Sequence, residues 1–208
     1  MKTLFRVTEV LSVIKEPGYE KFRAGVGEDR YTAIMSEKAE EGKLLHRFFS
    51  EILMEGDITK KDKKQYPQYE FPVGLLKLWV KNHVDRVVCS EMRYDQVALG
   101  VSGQLDAVLQ LKGRTLPSVV DLKCVATLAK KTPIQIAGGY TLVGQPLKFD
   151  SAIALHLQKS DAGKTWKISV KEWPKKEFPR WQGYFLNCLS LYRYIYDGKE
   201  APCGEEDF

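Results

Sequence analysis

The sequence predicts an α/β fold, a mixed β-sheet flanked by helices, and three observations carry that prediction. Helical spacing of apolar residues dominates the first part of the chain, where Leu45, Phe48, Phe49, Ile52 and Leu53 form one stripe. At about residue 86 the character changes to a β-rich run, RVVCSEMRYDQVALGVSGQLDAVLQL, with alternating apolar residues. Beyond it, strand-like stretches alternate with helical ones, as expected of a sheet packed against helices. The 208 residues, 44% hydrophobic and 28% charged, suit one globular domain. It divides into a helical segment over about 1–85 and an α/β core over about 86–208.

In chain order, residues 4–16 suit a short helix, broken at Pro17-Gly18. Ser36 is the expected N-cap of a helix that runs to about Met54 and stops at Gly56. Gly42 and His46 lie one turn apart at the edge of its apolar stripe, with Gly42 expected to leave room for the helix to approach the sheet. DITKKDKKQYPQYEF is expected to be a polar loop with Lys60, Lys61, Lys63 and Lys64 in solvent, ahead of a second helix over 71–83.

Side chains alternate along a strand. The stretch 101–111 therefore puts Val101, Leu105, Ala107, Leu109 and Leu111 on one face. Its other face carries Ser102, Gln104, Asp106, Val108 and Gln110. SVVDLKCV, residues 118–125, follows a turn at Gly113-Arg114 and shows Val119, Asp121, Lys123 and Val125 on one face. Asp106 and Asp121 are equidistant from that turn, so antiparallel pairing sets them opposite each other. Thr132-Pro133 opens a helix with proline at its first position, and Thr132 to Gln135 also has the form of a capping box. Gly138 and Gly139 weaken that helix by about 1 kcal/mol each relative to alanine, which predicts close approach of a neighbouring element. AIALHLQ and TWKISVKEW form a hairpin around KSDAGK, and a last helix over about Pro179–Tyr196 buries Trp181, Phe185 and Tyr192.

A net charge of +5 permits a polyanionic partner without demanding one. Cys89, Cys124, Cys188 and Cys203 have no C-x-x-C spacing, so free thiols are expected rather than zinc or an iron–sulfur cluster. Charge interrupts the N-terminal apolar residues too early for a signal peptide. No apolar run approaches ~18 residues. A cytoplasmic protein is expected, without a membrane.

Asp121 and Lys123 on one strand face are either an ion pair on an exposed edge or part of a metal site. The acid-x-lysine triplet recurs at 41–43, 62–64 and 197–199, but only the copy at Asp121 lies in a β pattern. Two adjacent carboxylates repel unless a cation sits between them. A hard divalent cation such as Mg²⁺ takes oxygen ligands. A lysine beside it supplies positive charge to a phosphoryl group, or orients and deprotonates the attacking water. These are sufficient parts for phosphodiester hydrolysis. Glu91, at the start of the β region, is more simply a surface strand acid.

The motifs GQLDAVLQL, SVVDLKC and IQIAGGY resemble the core of the PD-(D/E)XK nuclease superfamily in its RecB-like exonuclease branch, among small phage-type members. The likeness extends in order from Gly42 and His46, through Gly103 to Asp106 and Asp121-Leu122-Lys123, to Gln135 and Tyr140. It implies a restriction-endonuclease-like core and a deoxyribonuclease that uses Mg²⁺ or Mn²⁺. Asp106, Asp121, His46 and the Leu122 carbonyl would bind the metal, Lys123 would activate water, and Gln135 would join the catalytic set. Gln135, Tyr140, Lys130 and Lys131 would face DNA, and a recombination protein is the implied partner. The chain departs from the pattern at Tyr140, five residues after Gln135 rather than four; on a regular α-helix this turns the tyrosine by roughly 100°. No G-x-x-x-x-G-K-[ST] loop is present, so any unwinding motor would belong to a partner. The alternative is a catalytically silent DNA-binding or assembly protein on the same fold.

Overall fold

The structure, a computed structural model, describes residues 4–160 and 165–196. Residues 4–16 do not form the expected helix. Phe5–Arg6 is a short strand, β1, followed by one helical turn, α1 (Val7–Val10), and a 3-10 turn over Leu11–Val13. Val7, Val10 and Leu11 are buried, because β1 joins the sheet and draws this segment into the core. Pro17 starts a helix instead of ending one. In α2 (Pro17–Val26) it occupies the first position, where an amide would have no intrahelical partner.

Helix α3 spans Glu28–Glu55 and begins well before Ser36. Glu28 and Asp29 in its first turn favour a start there, since acidic groups complement the helix N-terminus. It stops at Gly56, whose left-handed φ of 79° ends the helix as expected. The lysine-rich segment is not a loop. Thr59 caps a helix, α4 (Lys60–Gln65), by accepting the Asp62 amide, and buried Asp62 takes a two-pronged hydrogen bond from Arg47 at 2.8 and 3.2 Å. Helix α5 follows over Glu70–His83.

Strands β2 (Val84–Gln96), β3 (Val101–Leu111), β4 (Ser118–Lys123), β5 (Ser151–Lys159) and β6 (Trp166–Pro174) complete a six-stranded mixed sheet. A π-helix over Ile134–Tyr140, a short α6 (Thr141–Val143) and a long α7 (Phe178–Tyr196) complete the elements. The sheet order is β1-β3-β4-β5-β6, with β2 antiparallel along the other edge of β3. Residues 161–164, the centre of the expected hairpin loop, and Cys203 and 197–199 lie outside the described residues. The flanking β5 and β6 pair antiparallel as expected.

The sheet separates two buried layers. Val119 and Val108 pack with the π-helix and α7, whereas Ala107, Leu109, Val120 and Leu122 pack with α3 and α5. Leu105 packs on the α7 side and Ala107 on the other, so the alternation of β3 changes phase around Asp106. The regular alternation expected from the sequence therefore fails at that residue. Gly138 and Gly139 mark the expected close approach: a Cβ on Gly138 would lie 2.5 Å from the Trp181 carbonyl oxygen, and one on Gly139 2.5 Å from Val7. Gly42 does not. A Cβ there would meet nothing within 4 Å, because Gly42 borders an open cleft rather than the sheet.

Candidate functional site

The sheet forks at Asp106. One edge of β3 is shared by β1, paired at Val101 and Ser102, and β4, paired from Ala107 to Leu109. The two neighbours part between these pairs, and the next step of the β3–β4 register sets Asp106 opposite Asp121, as the sequence predicts. Asp106 turns one carboxylate oxygen to the Leu122 amide at 2.7 Å and to His46 Nδ1 at 3.1 Å. Ser90 donates to the Asp106 carbonyl at 3.2 Å and meets Ser50 of α3 at 3.0 Å, which ties α3 to the strands beside the acid.

Lys123 stands between two partners. Its ammonium lies 3.1 Å from Asp121 Oδ2 and donates to Gln135 Oε1 at 3.0 Å. The Gln135 amide nitrogen in turn donates to the Tyr140 hydroxyl at 2.8 Å. The unusual five-residue spacing is accommodated by the π-helix. Its i→i+5 hydrogen bonding brings residues five apart onto one face, and such insertions recur at functional sites. Tyr140 therefore returns to the face of Gln135 instead of rotating away. No side-chain cap bond forms at this helix start, so the capping-box expectation fails: the Gln135 side chain is committed to Lys123 and Tyr140.

Electrostatics mark the acids as a strained pair. Burial pushes the Asp121 carboxyl up, Lys123 opposes this, and the neighbouring Asp106 charge adds to the rise. Burial acts on Asp106 in the same sense, but the facing His46, Lys123 and the Leu122 amide outweigh it and hold that carboxyl low. Burial alone would lower the His46 imidazole, yet Asp106 and then Asp121 raise it to about 9. The ring is set among protein atoms with 32% of its side chain open to the cleft. One Asp121 oxygen, on a residue only 2% exposed, accepts no aligned hydrogen bond despite the nearby ammonium.

Glu91 completes the cluster. The ligand atoms of His46, Glu91 and Asp106 lie within 4.8 Å of one another, and Gln104 donates to Glu91 at 2.6 Å. Glu91 adopts a left-handed φ of 51°, a conformation that costs a non-glycine residue about 1–2 kcal/mol. The sequence contained a signal for it: Glu91 and Asp106 are equidistant from the turn that ends at Gly100. Burial raises the Glu91 carboxyl, as does the Asp106 charge.

All these groups border a cleft of about 1680 Å³ that runs beneath α2 and α3. His156 and Gln158 of β5 form its floor support, binding the Val125 and Ala126 carbonyls at 2.7 Å each. Lys130 is exposed on the cleft lip, whereas Lys131 does not line it and gives its carbonyl to the Gln135 amide at 3.0 Å. Lys60, Lys61, Lys63 and Lys64 lie on α4, away from the cleft lining. Among the described residues Cys89, Cys124 and Cys188 are free thiols, and burial raises the Cys124 thiol above its ordinary value. No helix among the described residues is long and apolar enough to cross a membrane.

No family model matches the chain, and no curated protein matches it. Among solved structures the chain is similar to the one described as "Crystal structure of SSO0001". The two are 14% identical over 90% of this chain and 76% of that chain, with a TM-score of 0.38. So loose a likeness carries no argument about function.

Proposed function

We propose that the cleft is the active site of a metal-dependent deoxyribonuclease of the RecB-like PD-(D/E)XK type, acting as an exonuclease in recombination or DNA processing. The observation that supports this reading is the convergence of Asp106, Asp121 and Lys123 at the sheet fork, where buried Asp121 turns Oδ2 to the Lys123 ammonium at 3.1 Å. The donor set fits a hard divalent cation: oxygens of Asp106 and Asp121, the Leu122 carbonyl and a His46 nitrogen would hold Mg²⁺ or Mn²⁺. Such an ion supplies Lewis acidity toward a phosphoryl oxygen and lowers the pKa of water. His46 Nδ1 already lies 3.1 Å from Asp106 Oδ2, so the two donors share one side of the cluster.

Gripped between Asp121 and Gln135, Lys123 presents its ammonium to the phosphoryl group and the attacking water. Gln135 and Tyr140 are both nearly buried, so they fix the direction of Lys123 from behind. Lys130 on the lip offers charge to the DNA backbone. The setting is cytoplasmic, the host cytoplasm for a phage protein, with any unwinding motor or recombination protein as a separate partner.

Purified protein incubated with linear DNA, closed circular duplex and closed single-stranded circles tests the reading. Mg²⁺ or Mn²⁺ should bring steady loss of linear DNA with both circles intact, and Lys123→Ala should abolish that loss while the protein stays folded. Near-normal turnover in Lys123→Ala refutes the assignment. Cutting of either circle at a comparable rate makes the enzyme an endonuclease.

A further inference from the structure

Part of the cleft wall has a different character from a surface that meets phosphate. It is formed by α2 and the first turns of α3, which stand off the core, and no residue of α2 is buried. Tyr19 and Phe22 are 39% and 42% exposed and line the cleft, with Met35 beside them. Burial pushes the Tyr19 phenol above its ordinary value, as do Glu16 and Tyr31, while the Lys123 ammonium pulls it down; the ring thus lies within electrostatic reach of Lys123. Phe22 is braced by Tyr31 of α3 with ring centroids 6.0 Å apart. Leu128 and Lys130 face this wall from the loop after β4.

A duplex turns phosphates and sugars outward and hides its base faces in the stack, so an aromatic wall offers it little. An unpaired strand exposes those faces. Stacking on aromatic side chains beside a basic track is the general means by which single strands are held without regard to sequence. The charges here fit that occupant, since Lys123, Lys130, Asp106 and Asp121 line the same cleft as the two rings. We infer that the cleft takes an unpaired DNA strand, its bases stacked on Tyr19 and Phe22 and its backbone passing Lys123 and Lys130 toward the acids. This inference deepens the nuclease reading and rests on it for the choice of polymer.

The test measures fluorescence anisotropy of a labelled oligothymidylate strand and of a blunt hairpin duplex, with Ca²⁺ as the metal, on the whole protein. The strand should bind at least about tenfold more tightly than the duplex, and Tyr19→Ala or Phe22→Ala should each weaken strand binding by about tenfold. Tyr19→Phe, which keeps the ring, should restore binding. A 2-aminopurine base in the strand should change its fluorescence on binding wild-type protein and less so with Tyr19→Ala, a response that a purely structural role of the ring would not produce. Circular dichroism confirms that each variant is folded. Equal binding of strand and duplex, or alanine variants that bind the strand unchanged, overturns the inference while metal-dependent hydrolysis persists. Loss of all hydrolysis with strand-selective binding intact refutes the nuclease reading alone.

Discussion

Replacing Gly138 with alanine should destabilise the protein, although alanine is the better helix former. The added Cβ would lie 2.5 Å from the Trp181 carbonyl oxygen, 2.9 Å from its carbon and 3.2 Å from Phe185 Cβ. Carbon contacts are comfortable at about 3.5–4.0 Å, so the obstructing atoms must retreat by about 1 Å. The two nearest belong to the backbone of α7, which cannot rotate aside as a side chain would. Overpacking of this kind costs about 1–3 kcal/mol, and the upper end applies to backbone. The intrinsic gain of about 1 kcal/mol from leaving glycine offsets part of it, for a net loss of about 2 kcal/mol. In a protein of this size that lowers Tm by about 4–8 °C. Gly42→Ala has the opposite sign. Its Cβ meets nothing within 4 Å, so only the helix gain remains and Tm should rise by about 2–4 °C. Paired thermal melts by circular dichroism read both. A Gly138→Ala variant that melts with or above the wild type refutes the packing argument.

Tyr140→Phe removes the acceptor of the buried Gln135 amide and frees that side chain to turn from Lys123. An unpaired buried donor costs about 1–3 kcal/mol, so kcat on linear DNA should fall about tenfold with KM little changed; a matching rise in KM would place Tyr140 on the substrate instead. Asp62→Asn tests α4. The Arg47 hydrogen bonds, and then Thr59, hold the Asp62 carboxyl below its ordinary value, so its contribution to stability is full above about pH 4 and fades as pH falls. The variant should lose about 1–2 kcal/mol at neutral pH, allowing for the solvent exposure of Arg47. Urea titrations should show the deficit shrinking below about pH 4, and a pH-independent deficit contradicts the ion-pair account.

Much of the sheet and its acid pair was legible because period-two patterning and distance from a turn are local quantities. The same arithmetic that set Asp106 opposite Asp121 would have found Glu91 across β3, had the turn at Gly100 been given equal weight. What escaped local reasoning was decided by partners distant in sequence. The segment of α4 looks like a lysine-rich loop until Arg47 fixes Asp62, and residues 5–6 become a strand only because β3 has an open edge there. Gly42 and the tyrosine spacing show the limit differently. Whether a glycine borders a wall or a void, and whether a helix is α or π, depends on packing that no window of sequence contains.

The fork that joins His46, Glu91, Asp106, Lys123 and Gln135 draws on α3, three successive strands and the π-helix, and the π-helix in turn leans on α7 at the far end of the described chain. The set spans residues 46–135, and the helix that supports its last member ends only at Tyr196. During synthesis the chain emerges from its N-terminus, and long-range contacts form only after the intervening residues are made. The nascent polypeptide therefore carries its acids and its lysine long before they can act together. The constellation comes together only after the chain through α7 has been made.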